Sequence, residues 1–175
     1  MEDRECPAAR SRGIKNKKGE LIYEGNLNLN TEDLDLREAE LGGVILQGVH
    51  FDGANLTSAN LRGANLYWGN FFCANLTSAN LESAQLQGAD LKEANFTNAN
   101  LRNANLGRDN LGGSTQLQGA ILEGAVLEGA NFEGAEYNDK TIFPHWFNPA
   151  KLKMLKRERA GIRSSDILEE PSSKS

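Results

Sequence analysis

From Leu36 onward every fifth residue is Leu or Phe: Leu36, Leu41, Leu46, Phe51, Leu56, Leu61, Leu66, Phe71, Leu76, Leu81, Leu86, Leu91, Phe96, Leu101, Leu106 and Leu111. Two places before most of them stands a small apolar residue, as at Ala54, Ala59, Ala64, Ala74 and Ala104, and one place before stands Asn, Asp or Gln. One extra residue within 112–115 shifts the frame, after which Leu117, Leu122, Leu127, Phe132 and Tyr137 resume the spacing. A period of five matches neither the 3.6 of a helix nor the 2.0 of a strand, so the chain must turn once per repeat. If each pentapeptide supplies one short extended side and one corner, four of them close a square coil. The large residue and the small one two places earlier then point inward. Gly or Ser at the second place after the Leu, as at Gly48, Ser58, Gly63, Ser78 and Gly119, suits a corner that restricts side chains.

A coil of twenty residues predicts which side chains stack. Thr57, Thr77 and Thr97 form one column, Asn55, Asn75 and Asn95 a second, Asn60, Asn80 and Asn100 a third, and Phe51 meets Phe71 inside. Arg62, Glu82, Arg102 and, across a one-residue bulge, Glu123 alternate in sign as stacked charges should. The predicted core is Phe51, Leu56, Leu61, Leu66, Phe71, Leu76, Leu81, Leu86, Leu91 and Phe96.

These tandem A-(D/N)-L-x-x units, 21 of them between about residues 34 and 139, resemble the pentapeptide-repeat family. The resemblance implies an all-β solenoid, a right-handed quadrilateral parallel β-helix of about five coils with four pentapeptides in each. At ~4.8 Å between stacked strands the rod would be roughly 25 Å long. Its open ends need covers. Residues 19–33 are the N-terminal candidate, where Leu27, Asn28 and Leu29 imitate the repeat. Residues 140–163 are the C-terminal one, with the apolar cluster Ile142, Phe143, Trp146 and Phe147. Asn148 as N-cap and Pro149 at the first turn predict an α-helix to about Ala160, with Gly161 after it and Leu152 and Leu155 packing down. Residues 1–18 and 164–175, polar and without period, read as mobile tails.

No stretch approaches the roughly 18 consecutive apolar residues of a membrane span, and no basic start leads into an apolar run of signal type. The chain reads as soluble and cytoplasmic, with a lumenal or exported location after loss of a targeting peptide as the alternative. Cys6 and Cys73 match no metal or redox spacing and read as free thiols. His50 and His145 have no partner at ligand spacing and no nucleophile motif around them. The N-x-T matches at Asn55, Asn75 and Asn95 are generated by the repeat itself. No catalytic, metal or cofactor residue is assigned.

Two surface features survive this filter. Tyr67, Trp68 and Phe72 occupy outward or corner positions where other repeats carry Gly, Ser, Thr or charge, which makes them candidate protein contacts. The structural alternative is a Trp lying flat over a corner. Charge is the second feature: residues 34–139 carry 13 acidic and 5 basic side chains, net −8, and residues 140–175 carry 8 basic and 4 acidic, net +4. Some members of the resembled family mimic duplex DNA and act on DNA gyrase. Here the charge density is about half that of a duplex, and Glu123, Glu128 and Glu133 follow one another around a coil. Lys151, Lys153, Lys156, Arg157 and Arg159 suit the C-terminal end of the predicted helix. The reading is a non-enzymatic scaffold or protein–protein interaction module for an unidentified protein partner. It is monomeric or weakly dimeric and does not bind nucleic acid; a DNA-mimicking modulator of gyrase or another topoisomerase is the alternative. The resemblance adds a cyanobacterial or plastid setting.

Overall fold

Many of the repeating corners are built by an Asn that precedes the Leu. Asn55 Oδ1 accepts the backbone N–H of Thr57 at 3.2 Å and its hydroxyl at 2.7 Å, and Asn75 and Asn95 hold Thr77 and Thr97 in the same way. Ala59 N then donates to Leu56 O at 3.0 Å, closing a four-residue turn whose third residue, Ser58, has φ of 58°. This is the type II arrangement, which asks for a left-handed third residue. Gly takes that place at many corners, but Ser78, Ser83, Asn98 and Asn103 also adopt it, as do Trp68 and Cys73. A side chain there costs about 1–2 kcal/mol, so the coil stacking must over-determine the corners.

The computed structural model describes residues 14–15, 21–23 and 34–157. Within 34–157 the backbone forms four columns of parallel bridges, one per face. The first face runs through Asp35, Asn55, Asn75, Asn95, Ile121 and Ile142, and the second through Glu40, Asn60, Asn80, Asn100 and Val126. The third runs through Ile45, Asn65, Gln85, Asn105 and Asn131. The fourth runs through His50, Asn70, Asp90, Gln116 and Glu136, and ends on Leu155, where strand β3 (Glu136–Tyr137) pairs in parallel with β4 (Leu155–Lys156). Ahead of the solenoid, β1 (Ile14–Lys15) and β2 (Leu21–Tyr23) form an antiparallel pair. The other residues of the N-terminal cap, Leu27 to Leu29 among them, lie outside the described residues, as do residues 164–175 and, apart from Ile14–Lys15 of β1, the stretch 1–18 read as a tail.

Leu or Phe at the centre of each repeat and Ala two places earlier line the interior, and nearly all have no exposed surface. Phe51 and Phe71 meet edge to face with centroids 5.6 Å apart. In the repeat of Phe71 the small slot is Gly69, and a Cβ there would run into the Phe71 ring. Arg62 and Glu82 pair at 3.3 Å on the second face.

The interruption differs from the one-residue bulge expected near 112–116. Asp90 pairs with Gln116, Asn95 with Ile121, Asn100 with Val126 and Asn105 with Asn131, so the step between coils rises there from 20 to 26 residues. A whole pentapeptide plus one residue leaves the coil as a loop. Leu111 is accordingly no core residue but 84% exposed. Its small inward slot is occupied by Asp109, whose charge cannot enter an apolar interior unpaired. The charge column shifts with it. Glu128, not Glu123, lies below Arg102, and Glu123 falls beneath Thr97. Where the coil resumes, the fully buried Thr115 fills an Ala slot, and its Oγ1 accepts from Gly88 N at 3.1 Å and lies 3.0 Å from the carbonyls of Leu86 and Gly107.

The C-terminal cover also departs from expectation. Asn148 does act as N-cap and Pro149 does open the turn, but the element is a four-residue 3-10 helix, Pro149–Leu152, and not an α-helix to Ala160. Lys153 ends it in a left-handed conformation and the chain re-enters the fourth face as β4. A ladder partner in the right register thus outcompetes helix propagation, since each β4 residue joins an existing column. Met154 is the buried residue of this segment, while Leu152 stays exposed and Leu155 is half-buried. Inside the end, Phe143 stacks on Phe147 at 4.7 Å and Phe147 packs on Phe132 at 5.2 Å. Ile142 and Trp146, placed in that cluster by sequence, are largely exposed.

The register shift yields a direct test. Leu81→Ala, in a fully buried slot, is expected to lower stability by about 2–5 kcal/mol, whereas Leu111→Ala should stay within about 0.5 kcal/mol of the parent. Urea denaturation followed by circular dichroism separates the two, and equal losses would return Leu111 to the core.

Candidate interaction surface

The three aromatic residues singled out by sequence stand on one coil but not on one face. Tyr67 follows the centre of its repeat on the third face, Trp68 is the corner beyond it, and Phe72 lies on the fourth face. Trp68 is 45% and Phe72 43% exposed, and Tyr67 is half-buried. Tyr67 and Trp68 meet edge to face with centroids 5.5 Å apart. The patch therefore wraps an edge of the rod.

Trp68 holds its exposed position at a conformational cost. Its φ is 55°, a region bulky side chains seldom occupy. Its indole also lies across the next corner, where a Cβ on Gly88 would collide with the ring. The loop made by the looped-out pentapeptide fixes the ring in place. Asp109 Oδ2 accepts the indole N–H at 2.5 Å, and Asp109 Oδ1 accepts from Leu111 N at 2.8 Å and Gly113 N at 2.6 Å. The Trp68 bond, backed by these backbone donors, holds the Asp109 carboxyl below the usual aspartate range. The loop, with Leu111 at its tip, and the Trp68 ring form one braced unit. Sequence reasoning overlooked Asp109, although a charged residue in an inward slot was the visible signal. It assigned Thr115 no role.

Beside Phe72 a shallow groove of about 300 Å3 runs down the fourth face past Lys92, Gln118, Lys140 and Arg157. Lys92 pairs with Asp90 at 2.9 Å and Arg157 with Glu136 at 3.1 Å, so much of the basic charge is locally balanced. Gln118 Oε1 is buried there without a hydrogen-bond partner among the described residues, and Gln87 Oε1, beneath Tyr67 in its column, is in the same condition. Cys73 is a free, exposed thiol, and burial with the nearby Glu93 carboxylate pushes its pKa up, so it is a poorer nucleophile than an ordinary cysteine. His50 lies 4.0 Å from Asp52, and His145 is exposed in the C-terminal cover. Among the described residues no group of three or more His, Cys, Asp or Glu is placed to hold a metal, and no helix is long and apolar enough to cross a membrane.

The sequence profile of the pentapeptide repeats matches residues 35–71, 70–108 and 114–136, in 8 copies. Among solved structures, the chain is similar to a pentapeptide repeat protein of the Arabidopsis thaliana thylakoid lumen, with 37% identity over 60% of this chain and 66% of that one, and a TM-score of 0.41. It thus spans slightly under two thirds of that protein's solved chain. A pentapeptide repeat protein from Nostoc PCC 7120 is 32% identical over 70% of this chain and 84% of that one, with a TM-score of 0.32. HetL, a pentapeptide repeat protein involved in heterocyst differentiation regulation in the same cyanobacterium, is 32% identical over 70% of this chain and 60% of that one, with a TM-score of 0.35. No curated protein matches the sequence.

The brace is open to test by acid titration. A depressed carboxyl pKa means that the Trp68 contact is present above the unfolded aspartate value and is lost as pH falls through the lower folded value. In a Trp146→Phe background, Trp68 emission is expected to hold through the ordinary carboxylate range, shifting red only in stronger acid, while Asp109→Ala should show the red-shifted spectrum already at neutral pH. Identical neutral spectra would refute the brace.

Proposed function

The chain belongs to the pentapeptide-repeat family, and on that premise we propose that it is a non-enzymatic scaffold whose braced aromatic edge docks a protein partner. The observation that carries the reading is Trp68: a bulky residue kept in a left-handed corner, half exposed and tied to Asp109, where Gly or Ser would serve the fold at lower cost. Local strain of this sort gathers at functional sites. Tyr67 and Phe72 flank it, and exposed aromatic groups of this sort are enriched at protein interfaces. On this reading the four ladders wind right-handedly, as parallel crossovers do, through about five coils of a monomer or weak dimer.

The DNA-mimic alternative is less well supported. On the second face Arg62, Glu82, Arg102 and Glu128 alternate in sign, which breaks any continuous acidic stripe along that side of the rod. A stripe of one sign is what a duplex backbone would present.

The test is affinity capture from native extract with the parent beside a Tyr67→Ala, Phe72→Ala double variant, leaving Trp68 in place because it braces the loop. We expect a partner depleted at least tenfold with the variant, with unchanged melting temperature, and no effect of either protein on DNA supercoiling by purified gyrase. Indistinguishable partner sets would sink the aromatic edge as the docking site.

A further inference from the structure

The second face carries a charge pattern that the other three lack. Arg62, Glu82, Arg102 and Glu128 follow one another down the rod, one to a coil, and alternate in sign. In the equivalent column the first face has Thr57, Thr77 and Thr97, the third has no charge before Glu133, and on the fourth Phe72 and Gln118 interrupt the charges. Only half of the second-face column is paired within the chain. Arg62 meets Glu82 at 3.3 Å, whereas Arg102 and Glu128 make no ion pair among the described residues. Arg62, Arg102 and Glu128 are exposed, and Glu82 is half-buried.

A column of four alternating charges is complementary to its own reverse. If two copies lie face to face about a two-fold axis that runs along the strands between Glu82 and Arg102, the rods stand antiparallel and the column meets itself reversed. Arg62 then faces the partner's Glu128 and Glu82 faces the partner's Arg102, and both relations repeat by symmetry. Every contact joins opposite charges. A parallel arrangement sets like charge on like, which is unfavourable. The corners beside the column are Gly63, Ser83, Asn103 and Gly129, all short enough for the two faces to approach.

We propose that the second face is a self-association surface, on which a second copy of this chain docks antiparallel through Arg62, Glu82, Arg102 and Glu128. Charge complementarity selects this occupant, and it gives Arg102 and Glu128 the partners they lack within the chain. A face of about 25 Å by 10 Å falls well short of the ~800 Å2 per partner of a stable interface, and exposed ion pairs contribute little singly. The dimer is therefore weak and salt-sensitive. Trp68 stands where the third face turns into the fourth, an edge that does not border the second face. Pairing leaves the aromatic edge of both copies open, so a weak dimer presents that edge twice.

Sedimentation equilibrium of the full chain, carried to millimolar concentration, reads the association constant. We expect a monomer–dimer equilibrium in about 0.1 M salt that weakens at least tenfold in about 1 M, where the screening length falls from about 10 Å to about 3 Å. Arg102→Glu sets like charges together twice and should weaken the dimer at least tenfold with melting temperature unchanged; Arg102→Gln should weaken it less. Glu82→Arg should fail in the same way. An equimolar mixture of Arg102→Glu and Glu82→Arg should associate at least as tightly as the parent, because every contact between the two variants again joins opposite charges. A chain that stays monomeric throughout, a dimer unmoved by salt and by Arg102→Glu, or a mixture no tighter than its components overturns the proposal. So does a dimer that Tyr67→Ala, Phe72→Ala dissolves, which would assign the contact to the aromatic edge.

Discussion

Everything in this molecule depends on the backbone ladder that joins each pentapeptide to the one a coil away. A five-residue unit cannot bury its own Leu, and a single coil cannot satisfy its own N–H and C=O groups. Both needs are met only by stacking. The stacking in turn tolerates what isolated turns would resist, namely left-handed corners at Ser58, Trp68, Cys73 and Glu93. Where Asn precedes the Leu it holds the turn with its side-chain oxygen, which leaves its backbone free for the columns. The repeat consensus is the chemical record of those three demands: small and large inside, Asn for the corner.

Because the columns are so uniform, departures from them are informative. The six residues 109–114 leave the coil, and Thr115 restores the register by bonding to Gly107 before the break and to Leu86 and Gly88 one coil away. The loop then reaches the corner at Trp68 through Asp109. An interruption of the repeat and an unusual corner residue, some forty positions apart in sequence, therefore form one feature of the surface. The rod supplies rigidity, and the irregularities supply identity. Fold alone seldom specifies activity in such proteins, and Trp68, held in a left-handed corner by Asp109, is what sets this surface apart from a regular coil.

The two ends follow the same logic. At the C-terminal end the chain re-enters the fourth face as β4, fastened by Lys153 to Glu133 at 2.9 Å and by Arg157 to Glu136 at 3.1 Å. These exposed pairs contribute little singly, and the ladder and the Phe132, Phe143 and Phe147 cluster do most of the closing. Among the described residues Leu127 N and Phe132 N of the last coil find no ladder acceptor, whereas Gly134 N donates to Lys153 O at 3.0 Å. A solenoid that must end somewhere either covers that edge or leaves it available.

The family, the coil length of twenty and the inward set of Leu, Phe and Ala are legible in the sequence by themselves, because burial and corner geometry both recur at every fifth residue. The Thr and Asn columns follow from the same arithmetic. What periodicity could not decide is where the count breaks. A frame shift of one residue and a loop of six leave the same spacing downstream, and only pairing of Asp90 with Gln116 and Asn105 with Asn131 distinguishes them. The same holds for the segment after Pro149, where helix-start signals were present and correct but a free ladder edge in three dimensions ended the helix after four residues. Whether Trp68 projects or lies flat was likewise beyond the sequence, since its partner Asp109 is brought to it only by the loop. Local residue chemistry encodes the repeating contacts; contacts made once, between elements distant in the chain, are settled by the tertiary structure because only there do the competing partners meet.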